Sequence, residues 1–285
     1  MFTVLTVLGA LFLIVLTVYV FLIMPRTADR ADMELSATDY AHRGLWSTPA
    51  PENSLAAFAR AKEAGYGIEL DLRLSRDGHV MVFHDDSLLR MCGCKARVED
   101  LTLRELKSLR LAGTSETIPT LSEVLSLIDG SVPLLLEIKG KGREDRLCMR
   151  VARLLDRYGG VFAIESFNPL ILSYFKHYRP LFARGQLVTK ISASEKKERT
   201  LRFVLFHMLA NVLSRPDFIA IHGKYRKNLS FLICTRIFRA PAFIWTVRNE
   251  KEYRLCKKAG QYAIFEGICP VTQRKKESKN EPEFF

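Results

Sequence analysis

The sequence predicts an α/β fold, a TIM-type (β/α)8 barrel, preceded by one transmembrane helix. Three observations carry that expectation: an uncharged apolar run at the N-terminus, a regular alternation of strand-like and helix-like segments after it, and a count of eight strands once one hairpin arm is set aside. Of 285 residues, 48% are hydrophobic and 26% charged, which excludes a wholly disordered or collagen-like chain. The 43 Lys and Arg exceed the 31 Asp and Glu by 12, and every basic residue lies beyond residue 24.

From Phe2 to Met24 there is no charged side chain. As a helix this run extends about 35 Å, enough for a hydrocarbon core of about 30 Å. A cleaved signal peptide is the rival reading, but no Lys or Arg precedes the run, and Ile23-Met24-Pro25-Arg26 is a poor cleavage context. The expected organisation is a transmembrane helix over 1–24, a linker over 25–38, a barrel over 39–272 and a solvated tail over 273–285. Arg26, Arg30 and Arg43 follow the apolar run and only the α-amine precedes it. The positive-inside rule then predicts a single-pass cell-membrane protein with its large domain in the cytoplasm. The cysteines Cys92, Cys94, Cys148, Cys234, Cys256 and Cys269 form no C-x-x-C pair, which fits reduced thiols in that compartment.

Beyond the linker, strand-like runs at 40–43, 67–72, 80–83, 133–138, 162–166, 185–189, 218–221, 242–247 and 262–265 alternate with amphipathic stretches at 54–64, 103–109, 121–128, 144–158, 168–177, 195–213 and 250–259. Such alternation implies βα units around a parallel sheet. One pair breaks the rule. The span from Leu72 to Val80 is too short for a parallel crossover, which needs a dozen or more residues. Ser75-Arg76-Asp77-Gly78 is a turn signal, so 80–83 is expected to return antiparallel as a hairpin arm. Eight strands then remain, and about 250 residues is the usual size of a TIM barrel.

A barrel of this kind keeps its chemistry at the C-terminal strand ends. Glu69 and Asp71 are two apart on one strand and so share a face. Glu137 closes the apolar strand Leu134-Leu135-Leu136-Glu137-Ile138-Lys139. Three carboxylates at one barrel mouth repel one another unless a hard cation sits between them, and oxygen-only ligation suits Mg²⁺ or Ca²⁺. His42 ends the first strand and is followed by Arg43 and Gly44; His84 ends the hairpin arm, which folds it back level with Glu69 and Asp71. Two histidines flanking a metal, with Arg43 and Lys139 nearby, form a constellation for cleaving a phosphodiester. The cation and basic groups neutralise phosphoryl charge while the imidazoles move protons near neutral pH. Singly, each residue has a structural reading, a satisfied strand-end His or a solvated Glu-x-Asp pair. Their order along the chain is the signal.

That order resembles the glycerophosphodiester phosphodiesterase family. The matching residues are His42-Arg43-Gly44, Pro51-Glu52-Asn53-Ser54, Glu69-Leu70-Asp71, Asp77-Gly78, His84-Asp85, Leu88-Leu89-Arg90, Leu101-Thr102, Ile118-Pro119-Thr120-Leu121, Glu137-Ile138-Lys139, Ser166-Phe167 and Trp245-Thr246-Val247. The resemblance runs from about residue 40 to residue 270 and is most specific in its first part. It implies a barrel with a small insertion after the His-Asp motif, here at about 87–116. It also implies one divalent cation on Glu69, Asp71 and Glu137, with His42 and His84 as the acid/base pair. Arg43 and Lys139 would contact the phosphate, Trp245 would lie near the glycerol or the departing alcohol, and Glu52 and Asn53 would support the site. The implied reaction has the substrate's own 2-hydroxyl attack phosphorus and displace the alcohol, leaving a cyclic phosphate that water opens. Proximity makes such an internal attack effective.

Ser54 stands where the family usually has Thr, and the last strand ends Ile264-Phe265-Glu266-Gly267-Ile268-Cys269-Pro270, keeping a Pro and losing a Thr-Asp pair. Cys92-Gly93-Cys94 reads as loop. The segment 190–216 is long for a βα connection: Glu195-Lys196-Lys197-Glu198-Arg199 precedes a nearly continuous apolar run. It reads as a buried barrel helix, with an interfacial helix on anionic lipid as the alternative. The basic stretch from Lys224 to Arg239 supports an anionic surface or lipid headgroup, and no nucleic-acid module accompanies the charge. The expected substrates are soluble glycerophosphodiesters, with lysophospholipids (lysophospholipase D-type cleavage) second and a catalytically silent lipid-binding barrel as the reading from another class. No oligomeric state follows from the sequence.

Overall fold

The computed structural model describes residues 2–26, Leu35, 38–190 and 196–270; the expected tail and most of the expected linker lie outside the described residues. Eight parallel strands close into the expected barrel: β1 (Tyr40–His42), β2 (Gly67–Leu74), β4 (Leu134–Ile138), β5 (Phe162–Ser166), β6 (Ala183–Val188), β7 (Phe218–His222), β8 (Ala242–Val247) and β9 (Tyr262–Phe265), which returns to β1. The hairpin arm β3 (Val80–Val82) pairs antiparallel with β2, Leu72 opposite Val82.

Strand alternation sorts each strand into an outward row under the helices and an inward row that fills the barrel. In β2, Ile68, Leu70 and Leu72 face the helices and join the main core, while Glu69 and Asp71 face inward. The floor of the barrel is aromatic, with Tyr40, Phe218 and Phe243 all buried. A Cβ on Gly185 would lie 2.1 Å from the Phe218 ring, so only glycine leaves room for that ring. Above this apolar plug the inward positions turn acidic.

The helices follow their strands around the outside: α2 (Leu55–Glu63), α5 (Leu121–Ile128), α6 (Asp145–Leu155), α7 (Pro169–Tyr178), α8 (Lys196–Phe206), α9 (Asn211–Ser214), α10 (Leu229–Leu232), continued by a π-helical turn to Ile237, and α11 (Glu250–Lys258). Ser54 caps α2 by accepting from the Ala57 amide, so the hydroxyl retained at that position holds the start of a helix. Between β3 and α5 the inserted segment carries α3 (Leu89–Cys92) and α4 (Leu103–Lys107). It has its own small core, in which Met91, Val98 and Leu106 pack on Met81 and Phe83.

Two features differ from the sequence reading. The single helix expected over 195–213 is broken into α8 and α9, because Met208 takes a left-handed backbone (φ 56°) and turns its side chain inward to 1% exposure. Nor is α8 a buried barrel helix: Leu201 and Phe203 are each 58% exposed. The N-terminal helix α1 (Phe2–Ile23) is apolar and long enough to cross a membrane, and it is exposed over its first turns. Its last turns, however, belong to the barrel. Ile23 is fully buried in the main core, and its carbonyl accepts from Asn211 Nδ2 at 2.9 Å. The Tyr19 hydroxyl meets Ser230 Oγ at 2.8 Å, and the Arg26 amide donates to Pro216 O. Arg26 also pairs with Asp217 at 3.4 Å. Of the three arginines that the sequence reading placed beside the membrane, Arg26 and Arg43 are thus paired within the barrel and Arg30 lies outside the described residues.

Candidate active site

Strand register assembles the site. His42 stands opposite Glu69, Asp71 opposite Glu137, and Glu137 opposite Glu165, so four acids and a histidine of four neighbouring strands gather on successive inward positions at the barrel mouth. The β2–β3 hairpin adds His84. The Phe83 amide donates to Asp71 O at 2.9 Å, and the Arg73 guanidinium donates to the His84 carbonyl.

Glu69, Asp71 and Glu137 each present an oxygen within 4.8 Å of the other two, and all three side chains are buried. Burial, with Asp71 and Glu165 close by, pushes Glu69 well above the usual carboxylate range. Burial also raises Glu137 despite its contact with Lys139. Asp71 goes the other way: although buried, it is held below the usual range by Lys139, His84 and Arg43. Lys139 Nζ lies 2.9 Å from Asp71 Oδ1 and 2.7 Å from Glu137 Oε2. The buried Oε2 of Glu165 accepts no hydrogen bond among the described residues. Three buried carboxylates this close, with Glu69 and Glu137 pushed up by burial and by their acidic neighbours, fit a hard divalent cation.

Each histidine is backed by a carboxylate. His42 Nδ1 contacts Glu266 Oε2 at 2.6 Å, which leaves Nε2 facing the acids, 3.9 Å from Glu69 Oε2. Although half-buried, Glu266 is brought down to about 2 by His42 and Arg248. His84 Nδ1 contacts Asp85 Oδ1 at 2.6 Å. Arg90 fastens that pair, donating from Nε to Asp85 Oδ2 at 2.6 Å and from Nη2 to Glu52 Oε1 at 2.6 Å. Despite partial burial, Asp85 falls to about 2 on the hydrogen bonds from Arg90 and His84. Burial lowers the pKa of His84 itself, aided by the charges of Lys139 and Arg43.

The backbone at His42-Arg43-Gly44 is built for this arrangement. Arg43 takes φ 59°, which lets its amide donate to Glu69 Oε2 at 3.0 Å while its side chain reaches Glu52 Oε1 at 2.9 Å. Gly44 follows at φ 84°, and a Cβ there would lie 2.9 Å from Ala57. Asn53, itself at φ 56°, donates to Asp71 Oδ2 at 2.8 Å. Trp245 donates to Ala220 O and packs edge-on against Phe167, forming the apolar wall. The cavity of about 210 Å³ above the acids is lined by His42, Arg43, Glu69, His84, Glu137, Lys139 and Trp245, among others.

The structure therefore brings together His42, His84, Glu69, Asp71, Glu137, Arg43, Lys139 and Trp245, with Glu52 and Asn53 one layer behind. The sequence reading assigned no part to Glu165, Asp85, Arg90 or Glu266. Asp85 and Arg90 stood within recognised motifs, and Glu266 stood where an acid was counted as lost.

The family model of glycerophosphoryl diester phosphodiesterases matches residues 42–266, from the first histidine to the last carboxylate of this site. The chain belongs to that family. A glycerophosphodiester phosphodiesterase of Caldanaerobacter subterraneus is 39% identical over 156 residues, 48% of this chain. The chain spans 58% of that relative's length. Among solved structures, a phosphodiesterase of Oleispira antarctica in complex with the product sn-glycerol-3-phosphate is similar, with 26% identity and a TM-score of 0.66 over 86% of this chain and 97% of that one. A glycerophosphodiester phosphodiesterase of Thermotoga maritima gives 27% identity and 0.63 over 84% and 98%.

Proposed function

We propose that this member of the family is a metal-dependent phosphoric diester hydrolase that releases glycerol 3-phosphate and an alcohol from glycerophosphodiesters, as part of glycerophospholipid metabolism. The observation that carries the reading is the convergence of three buried carboxylates and two carboxylate-backed histidines on one cavity. A lipid-binding barrel without catalysis has no use for the full set. The names of the relatives and the product bound in the similar Oleispira antarctica structure point the same way.

In this reading Glu69, Asp71 and Glu137 hold Mg²⁺ or Ca²⁺. When bound, the cation supplies Lewis-acid polarisation of the phosphoryl oxygens. The chain's own groups do the rest. Arg43 and Lys139 stand where they neutralise the phosphate, which lowers the barrier to attack by an anion or hydroxyl. His42 and His84 are placed to move protons: one imidazole accepts from the attacking 2-hydroxyl while the other donates to the departing alcohol. The bond from phosphorus to the 2-oxygen forms as the bond to the alcohol oxygen breaks, and the pair reverses roles when water opens the cyclic phosphate. Glu266 and Asp85 fix the orientation of each ring through Nδ1. Trp245 covers the glycerol or the alcohol.

The apolar helix α1 is read as an uncleaved single-pass anchor in the cell membrane with the barrel on the cytoplasmic side, a reading supported by its uncharged length. A lysophospholipid substrate is the second reading, favoured by the attachment of that helix to the barrel's flank. The test is incubation of the full-length protein with glycerophosphocholine or lysophosphatidylcholine, with Mg²⁺ or Ca²⁺ and with EDTA. Metal-dependent release of glycerol phosphate supports the phosphodiesterase, and release of choline from the lipid supports the second reading. No metal-dependent hydrolysis of either would sink both.

A further inference from the structure

The direction of α1 along the barrel has a consequence for the catalytic mouth. Tyr19 meets Ser230 in the first turn of α10, which follows the C-terminal end of β7; Ile23 meets Cys234 one turn further on; Arg26 meets Pro216 and Asp217, just before β7 begins. The helix therefore runs down the flank from the end where strands finish to the end where they start. Its free turns, Phe2 to Val18, project past the catalytic end. They extend only about 25 Å, against about 30 Å of hydrocarbon. If α1 crosses a bilayer, no gap separates the barrel mouth from that bilayer.

The rim at the same end is suited to the contact. α8 follows β6, and Phe206 at its end packs on Tyr225 just beyond β7, ring centroids 5.2 Å apart. Leu201 and Phe203 on α8 are more than half exposed, as is Leu229 beside Ser230. Under α8 lies a cavity of about 290 Å³ lined by Lys190, Arg199, Arg202, Phe203, Phe206 and His207, with no acid among its described lining residues. Glu198 is the nearby acid on the same helix, and Lys224, Arg226 and Lys227 add charge on the neighbouring loop. Apolar side chains interleaved with cations over a basic cavity match the headgroup layer of an anionic leaflet.

We propose that the catalytic end of the barrel rests on the anionic leaflet that α1 crosses. Leu201 and Phe203 enter the headgroup layer, and a lipid phosphate sits between Lys190, Arg199 and Arg202. The active site then opens toward the membrane surface rather than toward bulk solvent.

The test uses the full chain in nanodiscs of phosphatidylcholine, alone or doped with phosphatidylglycerol, read by amide hydrogen exchange. Exchange over 196–206 should be slower in the anionic discs, and added salt should reverse the difference. Each cation near an anionic surface is worth about fivefold in affinity. Arg199→Glu with Arg202→Glu should therefore return exchange in anionic discs to the rate in neutral ones, with the melting temperature in detergent unchanged. Should that variant melt lower, Leu201→Ser with Phe203→Ser carries the same test on exposed positions. Equal exchange of the native chain in both discs overturns the proposal. A chain retained by neither disc overturns it together with the anchor.

Discussion

His42 Nδ1 and Glu266 Oε2 lie 2.6 Å apart, so the first strand of the barrel is tied to the end of the last through the catalytic histidine we assign. The contact fixes the ring so that Nε2 faces the acids, 3.9 Å from Glu69 Oε2. Glu266→Gln keeps the shape and removes the charge. Loss of an acid behind a working histidine costs about ten- to a hundredfold, and the loss should fall on kcat while KM for glycerophosphocholine changes little. Steady-state kinetics would show it; an unchanged kcat would remove His42 from the proton transfers.

The acid cluster predicts opposite effects of one substitution with and without metal. Burial of Glu69 and Glu137, with Asp71 beside both, opposes folding of the metal-free protein. Glu69→Gln should raise the melting temperature in EDTA and abolish the rise that Mg²⁺ or Ca²⁺ gives the native chain. A cation at a hundred times its Kd stabilises by about 2.7 kcal/mol, enough to read in a thermal melt. Equal metal-induced shifts in native and variant proteins would place the ion elsewhere.

Asp85 and Glu266 are each held at about 2, below the ordinary carboxylate range, so the folded state binds fewer protons than the unfolded chain in acid. Their contribution is fully present above the unfolded values of about 4 and is lost as pH falls toward 2. Urea unfolding at descending pH should show native stability dropping through that window. Asp85→Asn and Glu266→Gln should each flatten the drop, whereas parallel curves would mean that these pairs hold nothing in the folded state.

Gly44 and Gly113 separate backbone strain from collision. Both take positive φ, 84° and 71°, but only at Gly44 does a Cβ meet a neighbour within 4 Å, Ala57 at 2.9 Å. Gly113→Ala should cost about 1 kcal/mol from the left-handed backbone alone. Gly44→Ala should cost more and lower activity as well, because Arg43 and the Glu69 contact move with it. Denaturant midpoints and turnover of the two variants would decide.

Much of the site was legible because period-two alternation is unambiguous in a strand: Glu69 and Asp71 had to share a face, and Ser75-Arg76-Asp77-Gly78 had to return His84 beside them. Glu165 was not legible, since one acid at the end of an apolar run looks like the start of a loop. Glu266 was read as a loss because residue spacing, not carboxylate position, was compared. The break at Met208 is likewise absent from the apolar pattern, which runs on through 206–209 while the backbone turns. Charges counted along a chain also say nothing of where they fold. Arg43 was counted on the membrane flank as well as in the site, and it folds into the candidate site alone, paired to Glu52.

The same limit bears on where the apolar N-terminal segment ends. Composition ends it near residue 24, yet Ile23 is fully buried among barrel helices, and its carbonyl accepts from Asn211 while those of Phe21 and Met24 accept from Arg215. Cutting after residue 24 removes a buried side chain and strands buried donors; cutting after Val18 removes neither. A cavity left by a buried Ile costs about 2–5 kcal/mol, and each unpaired buried donor about 1–3 more. The chain from residue 25 should therefore melt well below the chain from residue 19, with a gap many degrees wide in differential scanning calorimetry. Equal melting would mean that the last turns of α1 only lean on the barrel and contribute nothing to its fold.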